Sequence, residues 1–253
     1  MKIVIINKLS FVLVFLHLVI SAQIPQGQAL IDSMTVRMTP ENSRGLMLQT
    51  NHYADGRKRT FEFEMFSGNK GEKSLLRYIK PVSVKGQTFL MLNDGDDIWT
   101  YFPRTRRVRK LASHAKKQKV QGSDFSFEDF ASRDTWEADY TTTNRGSVSY
   151  EGVDCWKLEA LRKAGSEEDF PRIILFIRVD TFYPLRIDYY DNDNNNEKSM
   201  TLNEIEKIDG FYSAKTIIME NHFSGSKTVM ETKTISYSWK PPRDFFSERN
   251  LKK

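Results

Sequence analysis

Short runs of alternating polarity recur along most of the chain, and they restrict it to a mainly β fold. "FEFEMF" (61–66) is the clearest, with Phe61, Phe63 and Met65 on one face and Glu62 and Glu64 on the other. A two-residue period belongs to a half-buried strand, because successive side chains leave opposite faces of the pleat. The two glutamates must face water, which turns Phe61, Phe63 and Met65 inward. Strand signals continue through "RGLMLQTNHY", "KSLLRYIKP", "QTFLMLND" and "DIWTYFP". They resume in "VDCWKLEAL", "PRIILFIRVD", "PLRIDYYD", "KSMTLNEIEKIDG", "FYSAKTIIMENH" and "KTVMETKTISYSW". Asp-Gly pairs in "YADGRKR" and "NDGDD" signal hairpins. A short helix is expected at "QALIDSMTVRM" (28–38), where Leu30, Ile31, Met34 and Met38 have near-helical spacing. No long helices intervene to form parallel crossovers, so the strands point to an antiparallel sheet or barrel.

Alternation does not always say which face looks inward. In "TFLML", Phe89 and Met91 oppose Thr88, Leu90 and Leu92; in "DIWTYF", Trp99 and Tyr101 oppose Ile98, Thr100 and Phe102. Neither strand carries a charge pattern that decides between its faces.

The first residues read as a secretory leader: Lys2 and Lys8, then the apolar run "FVLVFLHLVI" (11–20), then Ser21 and Ala22. That run is about half of the roughly 20 residues needed to span a membrane. Cleavage is expected near Ala22, leaving one domain over 23–253. No cysteine ends the apolar run, so no lipid anchor is expected there. Losing Lys2 and Lys8 lowers the formal net charge from +5 to +3. With no nucleic-acid motif beside it, that small excess gives no case for nucleic acid. The single cysteine, Cys155, excludes an intrachain disulfide.

Chemistry-bearing patterns are sparse. Beyond His17 in the leader, His52, His114 and His222 are isolated, and there is no HExxH, CxxC or GxSxG motif. Cys155 beside Trp156 reads as a buried, inert thiol. "DNDNNNEK" (191–198) lacks the ligand spacing of an EF-hand and reads as a turn. No metal or cofactor is expected. In "GSDFSFEDF" (122–130), Asp124, Glu128 and Asp129 are the best acid–base candidates, and Ser123 or Asp124 capping a helical turn competes with that reading. Phe127 and Phe130, three apart, would face the interior together. The preceding run, "RTRRVRKLASHAKKQK", is either a solvated rim or a contact for anionic headgroups or an acidic partner, through Arg104, Arg106, Arg107 and Arg109.

"SLLRYIKPVSVKGQTFLML" (74–92), "IWTYFPRTRRVRKL" (98–111) and "GSDFSFEDF" together resemble the outer-membrane lipoprotein-sorting protein family, a LolA-like group within the LolA, LolB and RseB fold. "DCWKLEA", "YPLRIDYYD" and "FFSERNL" extend the likeness over the chain. The resemblance implies an incomplete, half-open antiparallel β-barrel with short helices over its open face. It also implies a soluble, monomeric periplasmic carrier without catalysis, whose cavity shields lipoprotein acyl chains or another lipid. Shielding is worth about 0.8 kcal/mol per methylene. An inner-membrane transporter is the implied partner. The alternative is an accessory of a resistance-nodulation-division export system or an envelope-stress sensor, without lipid cargo. On this reading the cavity candidates are Phe61, Phe63, Met65, Leu90, Leu92, Trp99, Tyr101, Phe125, Phe127 and Phe130.

Overall fold

The structure is a computed structural model, and it describes residues 25–130 and 136–252. The leader expected at 1–22 lies outside them. Thirteen strands form one antiparallel sheet, ordered β6-β5-β4-β3-β2-β1-β13-β12-β11-β10-β9-β8-β7. The first half comprises β1 (Asn42–His52), β2 (Lys58–Gly68), β3 (Lys73–Lys80), β4 (Thr88–Leu92), β5 (Asp97–Phe102) and β6 (Arg107–Lys110). The second comprises β7 (Tyr140–Tyr150), β8 (Val153–Arg162), β9 (Arg172–Arg178), β10 (Pro184–Tyr190), β11 (Asn196–Ile208), β12 (Phe211–Asn221) and β13 (Ser226–Ser236). Each half is a meander of hairpins, and the two join where β1 pairs with β13. The edge strands β6 and β7 do not pair, so the sheet is not closed into a barrel.

The Asp-Gly hairpins form as the sequence predicts. Gly56 closes the β1–β2 turn with φ 83°, and Gly95 closes the β4–β5 turn with φ 91°. Helix α1 (Gly27–Met38) buries Leu30 and Ile31 and packs on β7 and β12, while its last turn stays exposed. Gly27 permits a close approach, since a Cβ there would lie 2.5 Å from the Thr142 carbonyl oxygen. A second helix, α2 (Trp136–Asp139), precedes β7 and stacks Trp136 on Tyr140.

Both faces of the first half are covered, by different parts of the chain. The concave face carries the main core, including Phe61, Phe63, Leu76, Tyr78, Phe89, Met91 and Ile98. The chain between the two edge strands passes over that face and plants Phe125, Phe127 and Phe130 in it. On the convex face, Phe66, Leu75, Leu90 and Leu251 form a separate cluster with Leu92, Trp99, Tyr101, Val108, Trp239, Phe245 and Phe246. The C-terminal segment is held there by aromatic packing, Phe245 lying 4.8 Å from Phe66, and by Arg77 Nη2 donating to the Asn250 carbonyl at 3.0 Å. Leu90, Leu92, Trp99 and Tyr101 therefore belong to the opposite side from Phe61 and Phe63, which corrects their grouping as one lining. Thr88, Phe89, Leu90 and Met91 are all buried because core lies on one side of β4 and the C-terminal strap on the other.

Candidate functional site

"GSDFSFEDF" is not a simple capped helix. Its helical turn is short, Glu128–Phe130, and is stabilised locally by Asp129, whose carboxylate accepts from the Ser126 N–H at 2.8 Å and hydroxyl at 2.9 Å. Ser123 Oγ accepts the Phe125 N–H at 3.2 Å, an ST turn rather than a helix cap. Asp124 does not cap the turn; it reaches across to β13. Its carboxylate accepts from Ser226 Oγ at 2.6 Å, Thr228 Oγ1 at 3.0 Å and Lys119 Nζ at 3.0 Å, while its own N–H donates to Thr228 Oγ1 at 2.8 Å. Asp129 also lies 3.6 Å from Lys198 Nζ, which sits over the Phe170 and Tyr189 rings at 5.0 and 4.8 Å. These carboxylates fasten the segment to the sheet, an arrangement suited to anchoring rather than to proton transfer with a substrate.

The aromatics of this stretch are packed solidly. Phe63 lies 5.3 Å from Tyr78 and 6.3 Å from Phe130, and Phe89 lies 5.0 Å from Phe127. Two openings lie on either side of the exposed end of α1. One pocket, about 270 Å³, is lined by Ile31, Met34, Met38, Trp136, Pro184, Ile187, Tyr189 and Met200, with Glu128 and Asp129 at its margin. A second, also about 270 Å³, lies over β1, β2, β12 and β13 between Met38, Met47, Met65, Tyr183, Ala214 and Ile217. Both are bounded by Met38 and Thr39, so the end of α1 forms a shared wall. Each is slightly smaller than the ~300–1,000 Å³ of typical small-molecule sites, and the two together fall within that range.

Five of the nine methionines, Met34, Met38, Met47, Met65 and Met200, line these two pockets. Thioether side chains have three rotatable bonds and repack around irregular apolar shapes, which suits a flexible hydrocarbon better than a rigid ring system. Of the candidates read from the sequence, Met65 lines the second pocket. Phe61, Phe63, Phe125 and Phe130 line neither of these two pockets, and Phe127 borders a separate opening near β4 and β5. Met38, Ile187, Met200 and Ile217 were not singled out as lining. The helical spacing of Met34 and Met38 was the one signal pointing toward α1.

Arg104 and Arg106 occupy the β5–β6 turn, and Arg107 and Arg109 lie on edge strand β6. All four are exposed. Cys155 is buried in β8, and burial pushes its thiol above the ordinary cysteine range. Among the described residues, no three His, Cys, Asp or Glu side chains are grouped to hold a metal ion, and no helix is long and apolar enough to cross a membrane.

A family model for DUF1329-like proteins, described as uncharacterized, matches residues 70–253. Among curated proteins there is no significant match. The crystal structure of a DUF1329 family protein from Desulfovibrio piger is 28% identical, covers 89% of this chain and 99% of its own, and superposes with a TM-score of 0.79. A Vibrio parahaemolyticus domain named for outer-membrane lipoprotein sorting is 22% identical over 90% of this chain and 98% of its own, with a TM-score of 0.81. A LolA superfamily protein from Nitrosomonas europaea is 18% identical over 90% and 100% of the two chains, with a TM-score of 0.72. The chain thus belongs to the DUF1329-like family, and its fold is that of the LolA superfamily.

Proposed function

We propose that residues 23–253 form a single exported carrier domain that shields hydrocarbon chains, those of a lipoprotein or another lipid, in the pockets beneath α1 during passage through the periplasm. The observation that carries this reading is the pair of methionine-walled pockets meeting at Met38. Asp129 in the lining of the first pocket is already engaged by Ser126 and Lys198, and apart from Glu128 and two threonines the remaining lining is apolar or aromatic, which suits a hydrocarbon chain. The sorting role in the printed name of the Vibrio domain, whose fold this chain shares, supports the same reading.

The test is binding of a fluorescent acyl probe to delipidated protein, alongside native mass spectrometry of protein recovered from its own envelope. Met65→Gln and Met200→Gln keep side-chain length but add a polar amide to each pocket. A misplaced polar group or lost methylene in such a pocket costs about 1–3 kcal/mol, so each variant should weaken binding about tenfold. Glu62→Ser should leave it unchanged, because Glu62 pairs with Lys80 Nζ at 2.8 Å away from the pockets. Unchanged probe affinity in both methionine variants, or failure of the delipidated protein to bind any acyl probe, would overturn the carrier reading.

A further inference from the structure

A third opening differs in chemistry from the pockets beneath α1. It is an open site of about 440 Å³ between β4, β5 and the segment that carries Phe127. Phe89, Phe102, Leu111 and Phe127 supply an apolar floor, and Gln87, Gln118 and Gln121 supply amide walls. Arg59 and Lys119 are its charged lining residues, and no acidic residue lines it.

Two further cations belong to this side of the sheet. Arg109 is registered opposite Thr100, and Arg107 opposite Phe102. Directly opposed residues project from the same face of an antiparallel pair. Thr100 and Phe102 line the pocket, so Arg107 and Arg109 stand at its β6 margin. Lys119 is already paired with Asp124 at 3.0 Å, whereas Arg59 and the two β6 arginines have no ion-pair partner among the described residues. The Arg59 guanidinium is seated 5.2 Å over the Phe61 ring, which orients it before any anion arrives.

An independent observation lies within the pocket. Thr100 is 1% exposed, yet its hydroxyl has no hydrogen-bond partner. A buried polar group without a partner is costly and calls for an explanation, and a ligand oxygen would supply the missing partner. Charged side chains on β6 would by themselves fit the protection of an exposed sheet edge. That explanation does not reach Arg59, on an interior strand, or the buried Thr100 hydroxyl.

We propose that this pocket binds the phosphate-bearing head of an amphiphile, with the anion between Arg59, Arg109 and the Thr100 hydroxyl and the start of the apolar body on Phe89, Phe102 and Phe127. Guanidinium donors match phosphate oxygens in charge and geometry. The aromatic floor distinguishes this site from a simple phosphate trap.

Calorimetric titration of the full chain with short-chain dihexanoyl phosphatidic acid tests the proposal. Dihexanoyl phosphatidylcholine and inorganic phosphate are the comparison probes. The anionic lipid should bind at least tenfold more tightly than either. Arg59→Gln and Arg109→Gln should each weaken it about tenfold or more, the loss typical of a charge-assisted hydrogen bond. Thr100→Val should also weaken it while the variant unfolds at the same or higher urea concentration, since it removes an unpartnered hydroxyl. Both arginine variants should retain the acyl probe bound beneath α1, which separates the two sites. Equal affinity for phosphatidylcholine would overturn the anionic preference, and equal affinity for inorganic phosphate would overturn the amphiphile. Unchanged binding in Arg59→Gln and Thr100→Val would overturn the placement.

Discussion

Asp124→Ala is the perturbation that best separates an anchoring carboxylate from a helix cap. The side chain is 4% exposed and accepts three hydrogen bonds, from Ser226, Thr228 and Lys119. Removing it leaves the Thr228 hydroxyl, 0% exposed, as a donor without an acceptor, at a cost of about 1–3 kcal/mol. Half-buried Ser226 can turn toward water, so its lost bond to the carboxylate adds about 1 kcal/mol. The Lys119 side chain is 51% exposed and resolvates, which limits that ion pair to about 0–1 kcal/mol. The expected loss is about 3 kcal/mol, against about 1 kcal/mol for a lost cap. Urea unfolding, followed in parallel by tryptophan fluorescence and far-ultraviolet circular dichroism, measures it; coincident transitions would justify a two-state treatment. A double-mutant cycle with Thr228→Val sharpens the test. Once the buried hydroxyl is gone, Asp124→Ala should cost at least 1 kcal/mol less. A loss of 1 kcal/mol or below, additive with Thr228→Val, would refute the anchoring role.

Two other predictions concern different parts of the sheet. Gly27→Ala places a methyl against the Thr142 carbonyl and should cost about 1–3 kcal/mol by displacing the start of α1 from β7, with faster amide exchange in that helix as the readout. Hydrogen bonds from Arg145 and then Arg172 hold the Glu159 carboxyl below the ordinary glutamate range. Its contribution to stability is therefore complete above about pH 4.3, the unfolded value, and disappears as pH falls through the lower folded value. The stability gap between wild type and Glu159→Gln, measured by urea midpoints across an acid series, should be constant near neutrality and close below that pH; a gap that widened in acid would contradict the assignment.

The antiparallel β class, the two Asp-Gly hairpins and the inward turn of Phe61, Phe63 and Met65 were legible in the sequence. Each rests on local chemistry: a two-residue period, a turn that demands positive φ, and glutamates that stay at the surface. Alternation fails where both faces are apolar, and β4 and β5 are such strands. Only the positions of the C-terminal strap and the 113–130 segment decide that Phe89 and Met91 face one core while Leu90, Trp99 and Tyr101 face another. The edge strand β7 carries little strand signal because its less exposed positions, Tyr140, Thr142, Asn144, Gly146, Val148 and Tyr150, are polar or glycine through the middle and contrast weakly with the threonines and serines of its outer face.

The sites depended still more on tertiary structure. Aromatic side chains in "GSDFSFEDF" suggested a single lining, but Phe125 and Phe130 are packed into the core and Phe127 alone of the three borders an opening. Space remains where the helix ends and flexible methionines meet, and again beside β4 and β5. Asp124 has two of its three partners on β13, about a hundred residues away, and no local pattern encodes that distance. Composition and period state what each residue can bury; the curvature of the sheet and the route of the chain across it decide where burial is complete and where a pocket is left.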